Sequence, residues 1–343
     1  LVCWSLFTGL QAFAANFASL FGCRLFIGFS ESPAFPANSR IVATWFPKKE
    51  RAFATGVYTA GEYVGLAFAT PFLFWILSSF GWKYVFLVAA FLGFIFAIFW
   101  FKIYQDPEKY KKINKAELQY IQGEIATNLI TKTEKGKKDF TWKKFFQLLR
   151  YRKLIGLYIG QFAITTTLYF FLTWFPTYLA EAKDMDFLRV GFYGSIPYIA
   201  AFFGVLFGGA ISDWLLNHGV SINIARKTPV IIGLLLTSVI ILANYTSSIS
   251  LVITVLSIAS FAQGMSNITW AILMEVVPKD VMGLASGMMN FFANLAGIVT
   301  PIIIGFIVDA TNSYNGAILF IGLFAIIGAL SYIFIVGKIE EEN

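Results

Sequence analysis

Arg24 and Glu31 are the residues best placed to do chemistry in this 343-residue chain. They stand in the stretch RLFIGFSESPAFPANSR, inside an apolar run from about Leu20 to Trp45. A run of that length reads as a membrane-crossing helix, where an ionised side chain costs about 2.5–3.5 kcal/mol on insertion scales and so points to function. Seven residues are two helical turns, which puts both side chains on one face about 10 Å apart along the axis. Helical side chains lean toward the N-terminus, so Glu31 aims back at Arg24 across Gly28, where no side chain fills the gap. Glu31 is expected to be buried. A carboxyl balanced between desolvation and a fixed cation suits proton uptake and release near neutral pH. The alternative is an ion pair that only packs helices, but buried pairs seldom add net stability. We read the pair as a proton-coupling switch.

Other side chains supply binding chemistry. Glu62 lies about eleven residues into its own apolar run, roughly 16 Å from the start and near the depth of Glu31. It reads as a cavity contact, with a second protonatable group, a neutral acid donating hydrogen bonds to substrate, or a water-facing lining residue as the alternatives. Gln161, Thr165 and Tyr169 fall at mid-helix, as do Gln263, Asn267, Thr269, Trp270, Asn290 and Asn294. Such amides, hydroxyls and aromatic faces can hold a polyol, or can simply bond helix to helix. No nucleophile–base constellation, metal cluster or phosphate loop is present, so no enzyme, cofactor or metal is expected. Cys3 and Cys23 sit at different depths, which argues against a disulfide. His218, the single histidine, falls in a short polar loop and reads as solvated.

The elements that must position these groups follow from composition. Hydrophobic residues make up 58% of the chain and charged residues 13%, with a mean hydropathy of +0.71. Soluble domains carry about 25% charged residues; this is an all-α polytopic membrane protein. Apolar runs fall near 1–16, 20–45, 52–77, 83–102, 154–179, 190–216, 228–246, 249–275, 281–308 and 315–337, about ten spanning helices. Basic residues concentrate in alternate loops, including Lys48, Lys49, Arg51, the insert 103–153, Arg226, Lys227, Lys279 and Lys338. Positive loops stay inside, so the insert and the C-terminus are expected to be cytoplasmic, in a cell membrane. The net charge of +7 is then topological, and no nucleic-acid partner is expected.

Within the insert, Asn114 and Glu117 form a capping-box pattern opening a short helix to about Asn128. Lys132 to Lys138 reads as a charged linker. Thr141 can cap the amphipathic WKKFFQLLR, suited to a membrane surface. A repeat relates Pro47–Gly56 to Pro278–Gly287, each followed by a helix carrying Thr-Pro (Thr70-Pro71, Thr300-Pro301). Parallel repeats place a substrate site at the bilayer midplane between halves. The division expected is an incomplete N-terminal bundle of four helices (1–102), a cytoplasmic connector (103–153) and a C-terminal six-helix bundle (154–343). Equivalence of the halves implies that two helices precede Leu1, so the chain reads as a fragment.

Two six-helix halves around a cytoplasmic connector resemble the major facilitator pattern. The strings Arg24-x-x-x-Gly28-x-x-Glu31, SPAFPANSRIVATWFP, ERAFATGVYTAGEYVGLAFATP, TLYFFLTWFPTYL and NIARKTPVIIGLLL resemble the anion:cation symporter family within it, on the side of the bacterial D-galactonate and glucarate/galactarate carriers. That resemblance implies that Glu31 takes up and releases the coupling proton and that Arg24 sets its affinity. It places Thr269, Trp270 and Asn290 in a sugar-acid site. Asn267 stands where the galactonate carrier has serine, and Glu62 where these carriers have a glutamine that contacts sugar hydroxyls. Gly209-x-x-x-Asp213, with Arg226 and Lys227 beyond a short loop, resembles the family's cytoplasmic gate, except that Trp214 replaces a basic residue. Arg40, Lys48, Lys49 and Arg51 read as orientation and gate residues. The function implied is a monomeric proton symporter importing a sugar-acid anion. Alternatives are the same fold carrying another small organic anion, or a non-transporting sensor on this scaffold.

Overall fold

With no water in a bilayer core to satisfy backbone groups, an apolar chain must close its hydrogen bonds within each segment. Every regular element of the described residues is helical. The structure, a computed structural model, describes residues 1–46, 51–107, 110, 113, 114, 116–118, 120, 121, 142–277 and 281–339. Helix α1 (Val2–Leu10) runs into a 3-10 turn, Gln11–Phe13. Asn16 then caps α2 (Phe17–Glu31) reciprocally: its Oδ1 accepts from the Ser19 backbone N–H at 2.9 Å, and its own N–H donates to Ser19 Oγ at 3.2 Å.

The expected single helix over 20–45 is two helices, α2 and α3 (Ala34–Trp45). Pro33 between them has no N–H to give the carbonyl of Phe29. Ser32 Oγ donates to that carbonyl at 2.9 Å instead. Beyond, α4 (Arg51–Phe80) is continuous through Pro71, and Gly81, at a φ of 88°, turns the chain into α5 (Trp82–Ile103). After the insert come α6 (Trp142–Arg150), α7 (Arg152–Thr173), α8 (Phe187–Asn217) and α9 (Ile222–Thr237), which continues as a 3-10 segment to Tyr245. The expected helix over 249–275 is likewise divided, into α10 (Ile249–Met265), a 3-10 turn (Ser266–Ile268) and α11 (Thr269–Val276). The last two are α12 (Met282–Thr311) and α13 (Asn315–Leu330), whose end widens into a π turn, Ser331–Ile335.

Eight helical segments among the described residues are long and apolar enough to cross a membrane, against the ten apolar runs. The shortfall lies at the start, where Val2–Phe13 is short and Pro33 divides the next run. In the insert, Asn114 Oδ1 accepts from the Glu117 N–H at 2.7 Å, the expected cap. Asn128, Lys132, Lys138 and Thr141 lie outside the described residues, as do positions 47–50 and 278–280 of the repeat and the side chains of Arg40 and Arg51.

The chain divides into two units, residues 1–55 with 72–136 and residues 56–71 with 137–343. In the first, α1 packs on α5 with Ser5 buried against Gly93, a position where a Cβ would strike the Ser5 side chain. Phe7 of α1 stacks on Phe26 of α2 at 4.7 Å. In the second, α8 and α10 meet backbone to backbone, with Gly204 against the Phe261 carbonyl and Gly264 against that of Ala201. Small residues of this kind let membrane helices approach closely. Leu154, Leu157, Leu234, Ile272, Met289 and Tyr332 are buried in its core. Helix α6, expected at the membrane surface, packs Phe145, Leu148 and Leu149 onto this core and leaves Trp142 and Phe146 exposed.

Candidate functional site

The division at Pro33 makes Glu31 the last residue of α2, with Arg24 two turns earlier. The space over Gly28 is open, as the spacing implies. The expected burial is not found: both Arg24 and Glu31 are exposed in their unit, and no ion pair or hydrogen bond joins them. Packing of α2 against α1 uses Phe26 and leaves the charged face outward.

The binding residues expected in the second unit separate into three groups. The first centres on Tyr63, beside the exposed Glu62 on α4. Tyr63 is 2% exposed; its hydroxyl donates to Gln263 Oε1 at 3.2 Å and accepts from Asn267 Nδ2 at 2.8 Å. Asn267 can reach it because the 3-10 turn Ser266–Ile268 interrupts the helix at that level. The second group joins α7 to α12. Tyr169 lies over Gly297, whose missing side chain leaves room for the ring. Two turns before Gly297 stands Asn290, half-buried, its Oδ1 accepting from Asn294 Nδ2 at 3.2 Å. On the same α7, Gln161 donates through Nε2 to Thr165 Oγ1 at 3.2 Å, and its sealed Oε1 has no partner among the described residues. The third group turns inward. Thr269 is fully buried, donating to the Ser266 carbonyl at 2.9 Å and accepting from the Tyr332 hydroxyl at 2.8 Å. Its hydroxyl is therefore committed within the helix bundle rather than offered to a ligand. Trp270, the next residue, is half-buried against the same core.

Arg226 and Lys227 lie in the first turns of α9, not in the loop before it. Arg226 Nη1 meets Asp213 Oδ1 at 2.8 Å and Ser212 Oγ at 2.9 Å, tying α9 to the end of α8. Lys227 takes a different partner, the Gly337 carbonyl at 2.9 Å, where the backbone turns left-handed after the last helix. Gly209, one turn before Asp213, has open space where a side chain would stand. His218 is exposed at the end of α8, its Nδ1 2.8 Å from the Trp214 carbonyl and its ring 4.3 Å from that of Trp214. Cys3 and Cys23 are free thiols, and no cluster of metal-ligating side chains occurs among the described residues.

Sequence reasoning passed over Tyr63 and Ser212. A hydroxyl-bearing aromatic beside a mid-helix acid, and a serine beside Asp213, were the available signals. Their partners lie too far along the chain to be read from spacing.

Eight helical segments long and apolar enough to cross a membrane place the described residues in the class of multi-pass helical membrane proteins. The chain belongs to the Major Facilitator Superfamily, whose family model matches residues 1–298 and 219–342. It is 43% identical to the probable galactarate/D-glucarate transporter GudP of Bacillus subtilis (strain 168), over 98% of this chain and 76% of that one. It is 42% identical to the D-galactonate transporter of Escherichia coli O6:H1, over 98% of this chain and 79% of that one. The hexuronate transporter of Bacillus subtilis is 31% identical, over 97% and 76%. Among solved structures, a bacterial homologue of the human lysosomal transporter Spinster, inward-facing and unoccupied, matches with a TM-score of 0.66 at 17% identity, covering 98% of this chain and 81% of that one. That match carries the fold alone.

Proposed function

We propose that this protein is a proton-coupled symporter that imports a sugar-acid anion, such as galactonate, glucarate or a hexuronate, by alternating access. The observation that carries the reading is the agreement along 98% of the chain with transporters of galactarate/D-glucarate and of D-galactonate. Glu31 is the proton carrier and Arg24 its affinity-setting neighbour. Glu62, Asn267, Trp270, Asn290, Gln161 and Tyr169 supply the amides, carboxylate and aromatic faces that a polyol anion needs. Thr269 supports them from behind. Gly209, Asp213, Arg226 and Lys227 form the cytoplasmic gate, with the insert and C-terminus on the same side.

In the cycle, Glu31 is protonated and the anion binds from outside, the halves rock, and both ligands leave to the cytoplasm. Full-length protein in liposomes under an imposed inward proton gradient should accumulate galactonate or glucarate, and Glu31→Gln should equilibrate it without accumulation. Glucuronate, tartrate and glutamate in the same assay separate sugar acids from other organic anions. Binding without flux would identify a sensor, and uphill uptake by Glu31→Gln would remove Glu31 from the coupling role.

A further inference from the structure

Helix α6 reaches the membrane boundary without crossing it. Its last residue, Arg150, comes just before α7 (Arg152–Thr173), a segment long and apolar enough to span a membrane. Tyr151 between them is extended, at φ −72° and ψ 113°, so the two helices are not continuous. The face of α6 made by Phe145, Leu148 and Leu149 is seated on the bundle core, which fixes the helix to the spanning segments. Its other edge is uncovered. Trp142 and Phe146, one turn apart, are 66% and 53% exposed. Arg150, a further turn along, is exposed and has no partner among the described residues. Arg152 is exposed as well, and its Nη2 donates to the Phe334 carbonyl at 2.7 Å, beside a ring that is itself 65% exposed. A guanidinium carries five N–H donors, so this bond leaves most of the fork for another acceptor. Along the sequence, Lys143, Lys144, Arg150, Arg152 and Lys153 are basic, and no acidic residue stands between Asp139 and Glu181.

We propose that this edge of α6, with the start of α7, is a binding surface for an anionic phospholipid. Trp142 and Phe146 enter the headgroup boundary, and Arg150 and Arg152 hold the phosphate. Aromatic rings favour the depth at which a spanning helix begins, where one side is apolar and the other wet. Basic side chains at that depth are drawn to negative headgroups, by about 5-fold in affinity per residue. A zwitterionic lipid offers the rings the same boundary but brings no net charge to the arginines. The choice between the two lipids therefore falls to Arg150 and Arg152, and no carboxylate of the stretch between Asp139 and Glu181 competes for them. Phe334, tied to Arg152 through its carbonyl, gives an acyl chain an apolar surface next to the phosphate. The proposal does not depend on which anion the protein carries.

Native mass spectrometry of the full-length protein, titrated with phosphatidylglycerol or phosphatidylcholine of matched acyl chains, tests this. The wild type should retain phosphatidylglycerol at least about 5-fold more tightly than phosphatidylcholine. Arg150→Gln, which breaks no internal contact among the described residues, should weaken phosphatidylglycerol by about 3- to 5-fold and leave phosphatidylcholine unchanged. Arg150→Gln with Arg152→Gln should lower the bound number of phosphatidylglycerol molecules by one. Lys83→Gln with Lys183→Gln removes the same charge elsewhere and should keep that number. Trp142→Ala with Phe146→Ala should weaken both lipids together, since the rings do not read charge. Equal retention of the two lipids by the wild type would overturn the proposal, as expected if a second copy of the chain or an acidic protein covers this face. A phosphatidylglycerol preference that survives Arg150→Gln and the double arginine variant, or that falls equally in the Lys83 and Lys183 control, would overturn it too.

Discussion

Glu31 and Asp213 use their polar atoms in opposite ways, and each makes a different prediction. Glu31 at the end of α2 has no partner among the described residues, so its substitution should cost coupling and little stability. Glu31→Gln is expected to bring the accumulation ratio to about one while leaving the thermal midpoint in detergent within experimental error, because partner-free surface changes are small. Asp213 is the opposite case. Arg226 is 11% exposed at its side chain and its Nε is sealed without a partner among the described residues, so Asp213→Asn removes the carboxylate charge that faces a mostly buried cation. The loss should be about 1–2 kcal/mol, discounted because Asp213 itself is 34% exposed. A detergent melt checks the magnitude, and Ser212→Ala on that background should add little. The residue types were legible in the sequence. Which of them were already paired was not, since Arg226 reaches Asp213 only because α8 and α9 fold back on each other.

At the scale of elements, two contacts carry predictions. Gly204 of α8 touches the Phe261 carbonyl of α10, so Gly204→Leu must push two backbones apart. Overpacking of this kind costs about 1–3 kcal/mol and should lower the melting midpoint and yield. The second contact lies beyond the membrane-spanning segments. Tyr314, between α12 and α13, donates to Glu181 Oε2 at 2.8 Å and packs edge-on against Trp174 and Tyr178. Burial first, then the hydrogen bond and charge of Glu181, hold its phenol well above the ordinary value. The folded chain therefore keeps this proton at pH values where the unfolded chain has lost it, and the stabilisation is lost as pH rises. The difference in melting midpoint between wild type and Tyr314→Phe should be constant from about pH 6 to 9 and shrink above about pH 10. Helix positions were legible from apolar runs, whereas the divisions at Pro33 and at Ser266–Ile268 were not. Apolar length says where a chain can enter a bilayer, but a proline or a 3-10 turn inside the run changes direction without changing hydropathy.

For the whole molecule, the carrier reading predicts that substrate choice and coupling can be altered separately. Glu62→Gln should change the ranking of hexonates against hexarates by at least about 3-fold in kcat/KM, with uphill uptake retained. An unchanged ranking would take Glu62 out of the binding cavity. The sequence by itself determined the solvent of this protein, its helical class, its superfamily and the kinds of side chain available for binding. These follow from composition, from the length of apolar runs and from strings of residues, all of which are local. Only the tertiary structure decided that Thr269 serves Tyr332 and that Arg226 and Lys227 take separate partners. It also decided that an unremarked tyrosine, Tyr63, accepts from Asn267. The physical reason is that a hydrogen bond is set by direction and by a distance near 3 Å, and those depend on how helices distant in the chain are packed.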